Sequence, residues 1–372
     1  MRARELGIRI GRMEPGPLDA ITDVQGVRVG HTTLISGEGP LKPGVGPVRT
    51  GVTVVVPHDG DIWTEPIFAG AHRLNGNGEL TGLEWIREAG MLGGAIGITN
   101  THSVGVVRNT LVEAAAQAHD MRDSIWALPV VGETYDGALN DINGFHVRPE
   151  HLHDALARAA DGPVEEGNVG GGTGMICHEF KGGIGTASRR AGEWTIGALV
   201  QANYGARALL RIDGVPVGAN IPLDEVSSPW DEAEALAARG GTEGGSIIGI
   251  VATDAPLLPH QCARLAQRAG MGVARMGSYA SHGSGDLFCA FATGNRDLSR
   301  NVGENDPRPT VALRMVVDDH VNPLLEAAAE ATEAAIVSAL LAAQTMTGRD
   351  GITAHALDHD RLMEVMRAHG RA

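Results

Sequence analysis

Cysteine is scarce in this chain. Cys177, Cys262 and Cys289 are the whole complement of 372 residues, an odd number with no CxxC spacing. That excludes a disulfide framework and a cysteine zinc site, and it suits a reducing compartment. Positive charge is short as well: Lys and Arg total 30 against 45 Asp and Glu, for a formal charge of −15 and a pI near 5.4. The basic footprint of a nucleic-acid or anionic-membrane binder is therefore missing. No uninterrupted apolar run reaches the roughly 18 residues of a membrane span. The longest candidate, "VNPLLEAAAEATEAAIVSALLAAQTMTG", is broken by Glu326, Glu330 and Glu333 and reads as an Ala-rich helix packed tightly on a sheet. The opening "MRARELGIRIGRMEPGPLDAITDV" has basic residues but no apolar h-region and no A-x-A-like cleavage site, so the expectation is a cytoplasmic protein.

Metal and nucleotide signatures are absent too. There is no HExxH and no tight ligand cluster, so no metal is expected. The glycine-rich "GNVGGGTGMICHEFKGGIGTASR" (167–189) lacks GxxxxGK[ST], since Lys181 precedes its glycines, and leads into no obvious helix. Close packing of a glycine-rich strand pair is the reading there, with no cofactor.

What the chain does have is glycine, 52 residues of it, and alternation of strand and helix patterns. β-Branched runs ended by Gly, Pro or Asp include "VRVGHTTL", "GVTVVVPH", "GAIGITNTHSVG", "IWALPVVGETYDG", "EWTIGALVQANYG", "LLRIDGVPVG", "SIIGIVATDAP" and "DLFCAFATGN". Helical periodicity appears in "LTGLEWIREAG", "VVRNTLVEAAAQAHD", "RPEHLHDALARAA", "PHQCARLAQRAG", Val321–Thr347 and "ALDHDRLMEVMRAHG". Several strands follow one another without a helix between Cys177 and Val217, which argues for layered α/β with large, partly antiparallel sheets over a doubly wound parallel sheet. No repeat or linker divides the chain. Its weakest seam is the polar, turn-rich Asn220–Gly245 stretch, a surface loop and a preferred cleavage region.

That seam ends in "GGTEGGSIIGIVATDAP", with four glycines around Thr242 and Glu243 and then Ser246 at the start of a strand pattern. A turn before a strand accounts for the glycines. A second reading is that the Gly245–Ser246 bond is meant to be broken. A serine Oγ attacks the preceding carbonyl when that carbonyl is unshielded, and glycine at 245 removes the shield and permits unusual dihedrals. Cleavage would leave Ser246 with a free α-amine, a group that ordinarily titrates at about 7.7–8.0 and so provides a built-in base beside the hydroxyl. In "SHGSGDLFCAF", Ser284 and Asp286 stand two apart and share one face of a strand, so they can relay a proton, or simply cap a turn. His282 lies in a Ser/Gly-rich loop, a poor place for the general base.

"GVTVVVPH", "GNVGGGTGM…FKGGIGTASR", "LVQANYG", "DGVPVG", "GGSIIGIVATDAPLLPHQ" and "GSGDLFCAFATGN" together resemble the P1 family of serine aminopeptidases. That group holds L-aminopeptidase/D-amidase/D-esterase (the DmpA-like enzymes) and the β-peptidyl aminopeptidases, and the similarity spans nearly the whole chain. It implies a four-layer αββα sandwich, similar to that of N-terminal-nucleophile hydrolases but with different strand connectivity. It further implies one catalytic domain, 1–372, made as a precursor that cuts itself at Gly245–Ser246 into an α chain, 1–245, and a β chain, 246–372. Ser246 matches the nucleophile, and Ser284 and Asp286 match its assisting pair. Some relatives have glutamate at the latter position.

Asn203 in "VQANYG" is the choice for the oxyanion donor, with Asn220 in "VGANIP" as competitor. Glu133 and Tyr135 in "VGETYDG" match a motif near the substrate amine; a strand-end turn is the alternative. The expected substrates are small peptides, amides or esters, and the expected assembly is a homo-oligomer of αβ units. Two other classes stay open: a glutamate N-acetyltransferase-like acyl transferase, which uses threonine where this chain has Ser246, and a non-cleaving binding homologue.

Overall fold

The computed structural model describes residues 1–121, 126–229, 244–298 and 308–371. In chain order the first strands and helices are β1 (Arg28–Ser36), β2 (Val48–Val56), β3 (Ile67–Gly76), α1 (Leu83–Ala89), β4 (Met91–Leu92), β5 (Ile96–Asn100), α2 (Val104–Ala118), β6 (Val130–Thr134) and α3 (Pro149–Ala157). Then come β7 (Ile176–Cys177), β8 (Phe180–Lys181), β9 (Gly183–Ala191), β10 (Trp194–Asn203), α4 (Val217–Asn220), β11 (Gly244–Thr253), α5 (Pro259–Arg275), β12 (Gly283–Ala292), α6 (Asn322–Ala342), β13 (Met346–Thr347), β14 (Thr353–Ala354) and α7 (His359–Ala368).

Two sheets organise these elements: a four-stranded one ordered β1-β2-β5-β6 and a six-stranded one ordered β4-β3-β12-β11-β10-β9. Strand alternation decides what lies on each side. Ile248, Ile250 and Ala252 of β11 meet Leu287, Cys289 and Phe291 of β12 and Val55, Ile96, Ile98 and Val130 of the smaller sheet in one buried layer. The opposite parity, Ile247, Val251, Phe288 and Ala290, packs on α5 and α6 through Leu265, Ala269, Ala331 and Ala335. On the far side, Val52, Val54 and Val131 pack on α2 and α3 through Val107, Leu111 and Leu152. The result is a four-layer αββα sandwich. Each fully buried Ile or Phe in these layers contributes roughly 1.5–3 kcal/mol.

The Ala-rich segment is α6, laid on β9 and β10. Its closeness explains Gly185: a Cβ there would sit 2.0 Å from the Ala335 carbonyl oxygen. Among the described residues no helix is long and apolar enough to cross a membrane.

Two readings are corrected. "LLRIDGVPVG" is not a strand; Asp213 and Gly214 both take positive φ (49° and 76°) and close a tight turn bridged only at Ile212–Val215. Conversely "IFAGAHRLNG" forms β3, hidden in sequence by its small residues and its exposed, polar end. Residues 230–243 of the polar seam, Thr242 and Glu243 included, lie outside the described residues.

Candidate active site

The site is built where β11 begins. β11 runs antiparallel to β10, with Asn203 opposite Ser246, and parallel to β12, with Gly245 opposite Ser284 and Ser246 opposite Gly285. Ser246 shares the parity of Ile248 and Ile250, so its side chain faces the gap between the sheets, at the end where that gap opens. There it lines a cavity of about 670 Å³ together with Thr101, Glu133, Tyr135, Asn203 and Tyr204.

Ser246 Oγ donates a 2.7 Å hydrogen bond to the carbonyl oxygen of Gly245 and accepts one of 3.2 Å from the Gly285 amide. The hydroxyl is thus fixed beside the carbonyl it would attack. Gly245 is required for space: a Cβ would lie 2.6 Å from the Asn203 carbonyl oxygen and 2.7 Å from Tyr204 Cα. Its φ is not in the left-handed region, so the close approach of β10, and no special dihedral, demands the glycine.

Ser284 and Asp286 do project together, with Ser284 Oγ donating to Asp286 Oδ1 at 2.7 Å. They share the parity of Phe288 and Ala290, so they lie on the helix-facing side of the sheet, opposite Ser246 Oγ. They stand beside the nucleophile segment through the ladder, where Asp286 is opposite Ile247. Burial pushes the Asp286 carboxyl up to about 6, against the opposing hydrogen bond from Ser284. Its second oxygen, Oδ2, is buried without a partner.

Asn203 and Asn220 part company. Asn203 lines the cavity opposite Ser246, its Oδ1 accepting from the Ile176 amide (2.8 Å) and its Nδ2 donating to the Tyr135 carbonyl (3.1 Å). Oriented this way, the amide has a second Nδ2–H available. Asn220 ends α4 and bonds back to Pro216, and it is not among the cavity residues. His282 is exposed and lines no part of the cavity either.

Glu133 is buried at the end of β6, accepting from the Glu79 amide (2.9 Å) and from the Thr101 hydroxyl. Burial raises its pKa above the ordinary carboxylate value, the two hydrogen bonds pulling the other way. Tyr135 stands at the rim, with its phenol folded over Gly137. Sequence reasoning missed Thr101, the Glu79 amide and the Ile176 amide. No local pattern marks them, since they arrive only through the parallel β5–β6 pairing, the Leu80–Gly132 bridge beside Glu79 and the turn at β7.

The model of peptidase family S58 matches residues 19–354. The chain belongs to peptidase family S58. A beta-peptidyl aminopeptidase of Sphingosinicella microcystinivorans is 48% identical to this S58 chain, over 100% of it and 93% of the relative. Among solved structures, a Burkholderia beta-aminopeptidase superposes with TM-score 0.91 at 53% identity, covering 100% of this chain and 99% of that one. The L-aminopeptidase D-Ala-esterase/amidase of Ochrobactrum anthropi superposes with TM-score 0.90 at 43% identity, covering 100% and 99%. The latter is described as a new variant among the Ntn hydrolase fold, and the αββα layers of this S58 chain have that fold.

Among the described residues no group of three or more His, Cys, Asp or Glu is placed to hold a metal.

Proposed function

We propose that this S58 chain is a self-processing serine aminopeptidase. The observation that carries the reading is Ser246 Oγ held 2.7 Å from the Gly245 carbonyl oxygen, at the wall of a cavity that also contains a buried carboxylate, Glu133. Maturation has two steps. Ser246 Oγ attacks the Gly245 carbonyl carbon; the new C–O bond forms, the C–N bond breaks, and the Oγ proton goes to the departing nitrogen. Water then hydrolyses the ester, leaving a Gly245 carboxylate, a free Ser246 hydroxyl and its α-amine. As an ammonium, that amine pairs with Asp286.

In the mature enzyme Ser246 attacks the first carbonyl of a peptide, amide or ester whose ammonium is held by Glu133 at the rim formed by Tyr135. The serine proton passes to the α-amine in its neutral form, Ser284 and Asp286 steady the ammonium that results, and that ammonium gives the proton on to the leaving group. Asn203 Nδ2 donates to the oxyanion. Water or another amine releases the acyl group. The names of the relatives at 48% and 53% identity favour β-amino acyl residues at the substrate N-terminus. Assembly of the αβ units into a homo-oligomer is supported by the family resemblance, and a cytoplasmic site by three unpaired cysteines and an acidic surface.

The testing experiment compares a β-homoglycyl or alanyl p-nitroanilide with its N-acetyl derivative. Hydrolysis of the free amine and at least about 100-fold slower hydrolysis of the acetylated form is expected, with Glu133→Gln erasing most of the difference by raising KM, as loss of a charge-assisted contact does. Equal rates on both would remove the exopeptidase reading. Acyl transfer to ornithine without hydrolysis would favour the transferase.

Self-cleavage should depend on pH through Asp286. Its carboxyl is raised, so the folded chain holds the proton up to about pH 6 and the ammonium-binding anion appears above that. By linkage, the same group makes the uncut chain lose stability as pH rises from the unfolded value near 4 through about 6. Uncut chain isolated at low pH and shifted upward should cleave faster through a midpoint near 6, and Asp286→Asn should lack that rise. A rate independent of pH between 5 and 7 would take Asp286 out of the step.

A further inference from the structure

Beside the catalytic cavity lies a second depression of about 450 Å³, and nothing in the chemistry above uses it. The two share Gly76 and Gly78 in their walls. The second is floored by apolar side chains, Leu80, Leu83, Trp85, Leu128 and Leu287, and it holds two arginines, Arg73 and Arg87.

The arginines differ. Arg87 pairs with Glu84 on α1. Arg73 is exposed and has no acidic partner among the described residues.

Sheet geometry fixes where Arg73 stands relative to the nucleophile. Ser246 is opposite Gly285, and Gly285 is opposite Gly76, so two strand spacings, about 10 Å, separate β11 from β3. Arg73 is opposite Leu287, two residues further along, or about 7 Å. The two α-carbons are therefore roughly 12 Å apart. Both residues face the same side. Leu287 points into the layer between the sheets, Ile67 and Ala69 of β3 do the same, and Arg73 continues their parity. The arginine also turns back toward the reacting centre, since a Cβ at Gly76 would meet its Cδ at 3.2 Å. Between the arginine and Ser246 the ridge has glycine at 76 and 78, so a bound chain crosses it close to the backbone.

We propose that this depression is the leaving-group subsite: the apolar floor takes the side chain of the departing fragment and Arg73 takes its free C-terminal carboxylate. This rests on the serine aminopeptidase reading. A fragment of one or two extended residues spans about 4–7 Å from the attacked carbonyl, and the arginine side chain covers the remainder. With Glu133 on the ammonium and Arg73 on the carboxylate, the enzyme measures its substrate from both ends. The substrate class is accordingly di- and tripeptides with a small N-terminal residue and an apolar C-terminal one. Long polypeptides and C-terminally blocked peptides are disfavoured.

The test uses matched pairs: a β-alanyl-leucine or alanyl-leucine dipeptide and its C-terminal amide, assayed by product chromatography with the parent, Arg73→Ala and Arg73→Glu. The parent is expected to prefer the free acid by about tenfold in kcat/KM, as a partly exposed charge-assisted contact gives. The preference should shrink with added salt. Arg73→Ala should bring the acid-to-amide ratio to about one, and Arg73→Glu should invert it. A ratio unchanged by both substitutions overturns the subsite while leaving the peptidase reading intact. A parent that hydrolyses neither member of the pair nor the p-nitroanilides overturns the peptidase reading, and the subsite with it.

Discussion

Ser246→Ala is expected to remain one uncut chain and to lose aminopeptidase activity by roughly 10⁴–10⁶-fold in kcat, the scale seen when a catalytic serine is removed. The reason is geometric. One oxygen, held 2.7 Å from the Gly245 carbonyl oxygen by its own hydrogen bond and by the Gly285 amide, would serve first the internal bond and then the substrate. Ser284 is no replacement, because it lies on the other face of the sheet and is engaged with Asp286. The substitution should be tolerated by the fold, since it takes one partner each from the Gly245 carbonyl oxygen and the Gly285 amide at the wall of a cavity, where water can stand in for the hydroxyl. Circular dichroism matching the parent together with a full-length band would separate loss of chemistry from loss of structure. A cut Ser246→Ala chain would assign the nucleophile elsewhere.

Asn203→Ala should lower kcat by about 10²–10³-fold with a much smaller change in KM, because the donor it removes acts on charge that develops in the transition state. Asn220→Ala is the control. It sits outside the cavity, bonded back to Pro216, and its loss should leave kinetics within twofold of the parent. The Asn203 variant also strands the Ile176 amide, whose partner is Asn203 Oδ1; an unsatisfied buried donor costs about 1–3 kcal/mol, so a drop in melting temperature should accompany the kinetic loss. Asn203→Asp retains that acceptor but presents anionic oxygen to the oxyanion, and should be at least as inactive as the alanine variant while folding better. Equal kcat in Asn203→Ala and parent would move the oxyanion donor to backbone amides.

The layered architecture was legible in the sequence because its signals are local. The β-branched runs that became β2, β10 and β11, and the periodic stretches that became α2, α5 and α6, each carry their own pattern. So does the Ser284–Asp286 pair, whose spacing of two forces a common face on any strand. β3 escaped notice because glycine, alanine and polar residues fill it, and "LLRIDGVPVG" misled because its β-branched residues flank a tight turn. Neither fault touched β11.

The site itself was only half legible. Ser246, Asn203 and Glu133 could be chosen from motifs, but what brings Asn203 and not Asn220 opposite Ser246 is the β10–β11 register, which no local pattern specifies. The same holds for the two-sided arrangement at the Gly245–Ser246 bond. Sequence spacing put Ser284 and Asp286 together; strand pairing put them across the sheet from Ser246 Oγ, with Asp286 Oδ2 unpaired and the bond between them. Thr101 and the Ile176 amide hold the functional groups in place and carry no signature at all. Arg73 belongs with these. It is an ordinary exposed arginine until the ladder puts it on the face, and within reach, of the nucleophile.

The measurement that bears most directly on the whole account is the intact mass of the purified parent protein under denaturing conditions, with N-terminal sequencing of any fragments. Two polypeptides are expected, corresponding to residues 1–245 and 246–372, the second beginning Ser-Ile-Ile-Gly-Ile. A single full-length chain, or a cut at any other bond, would contradict it.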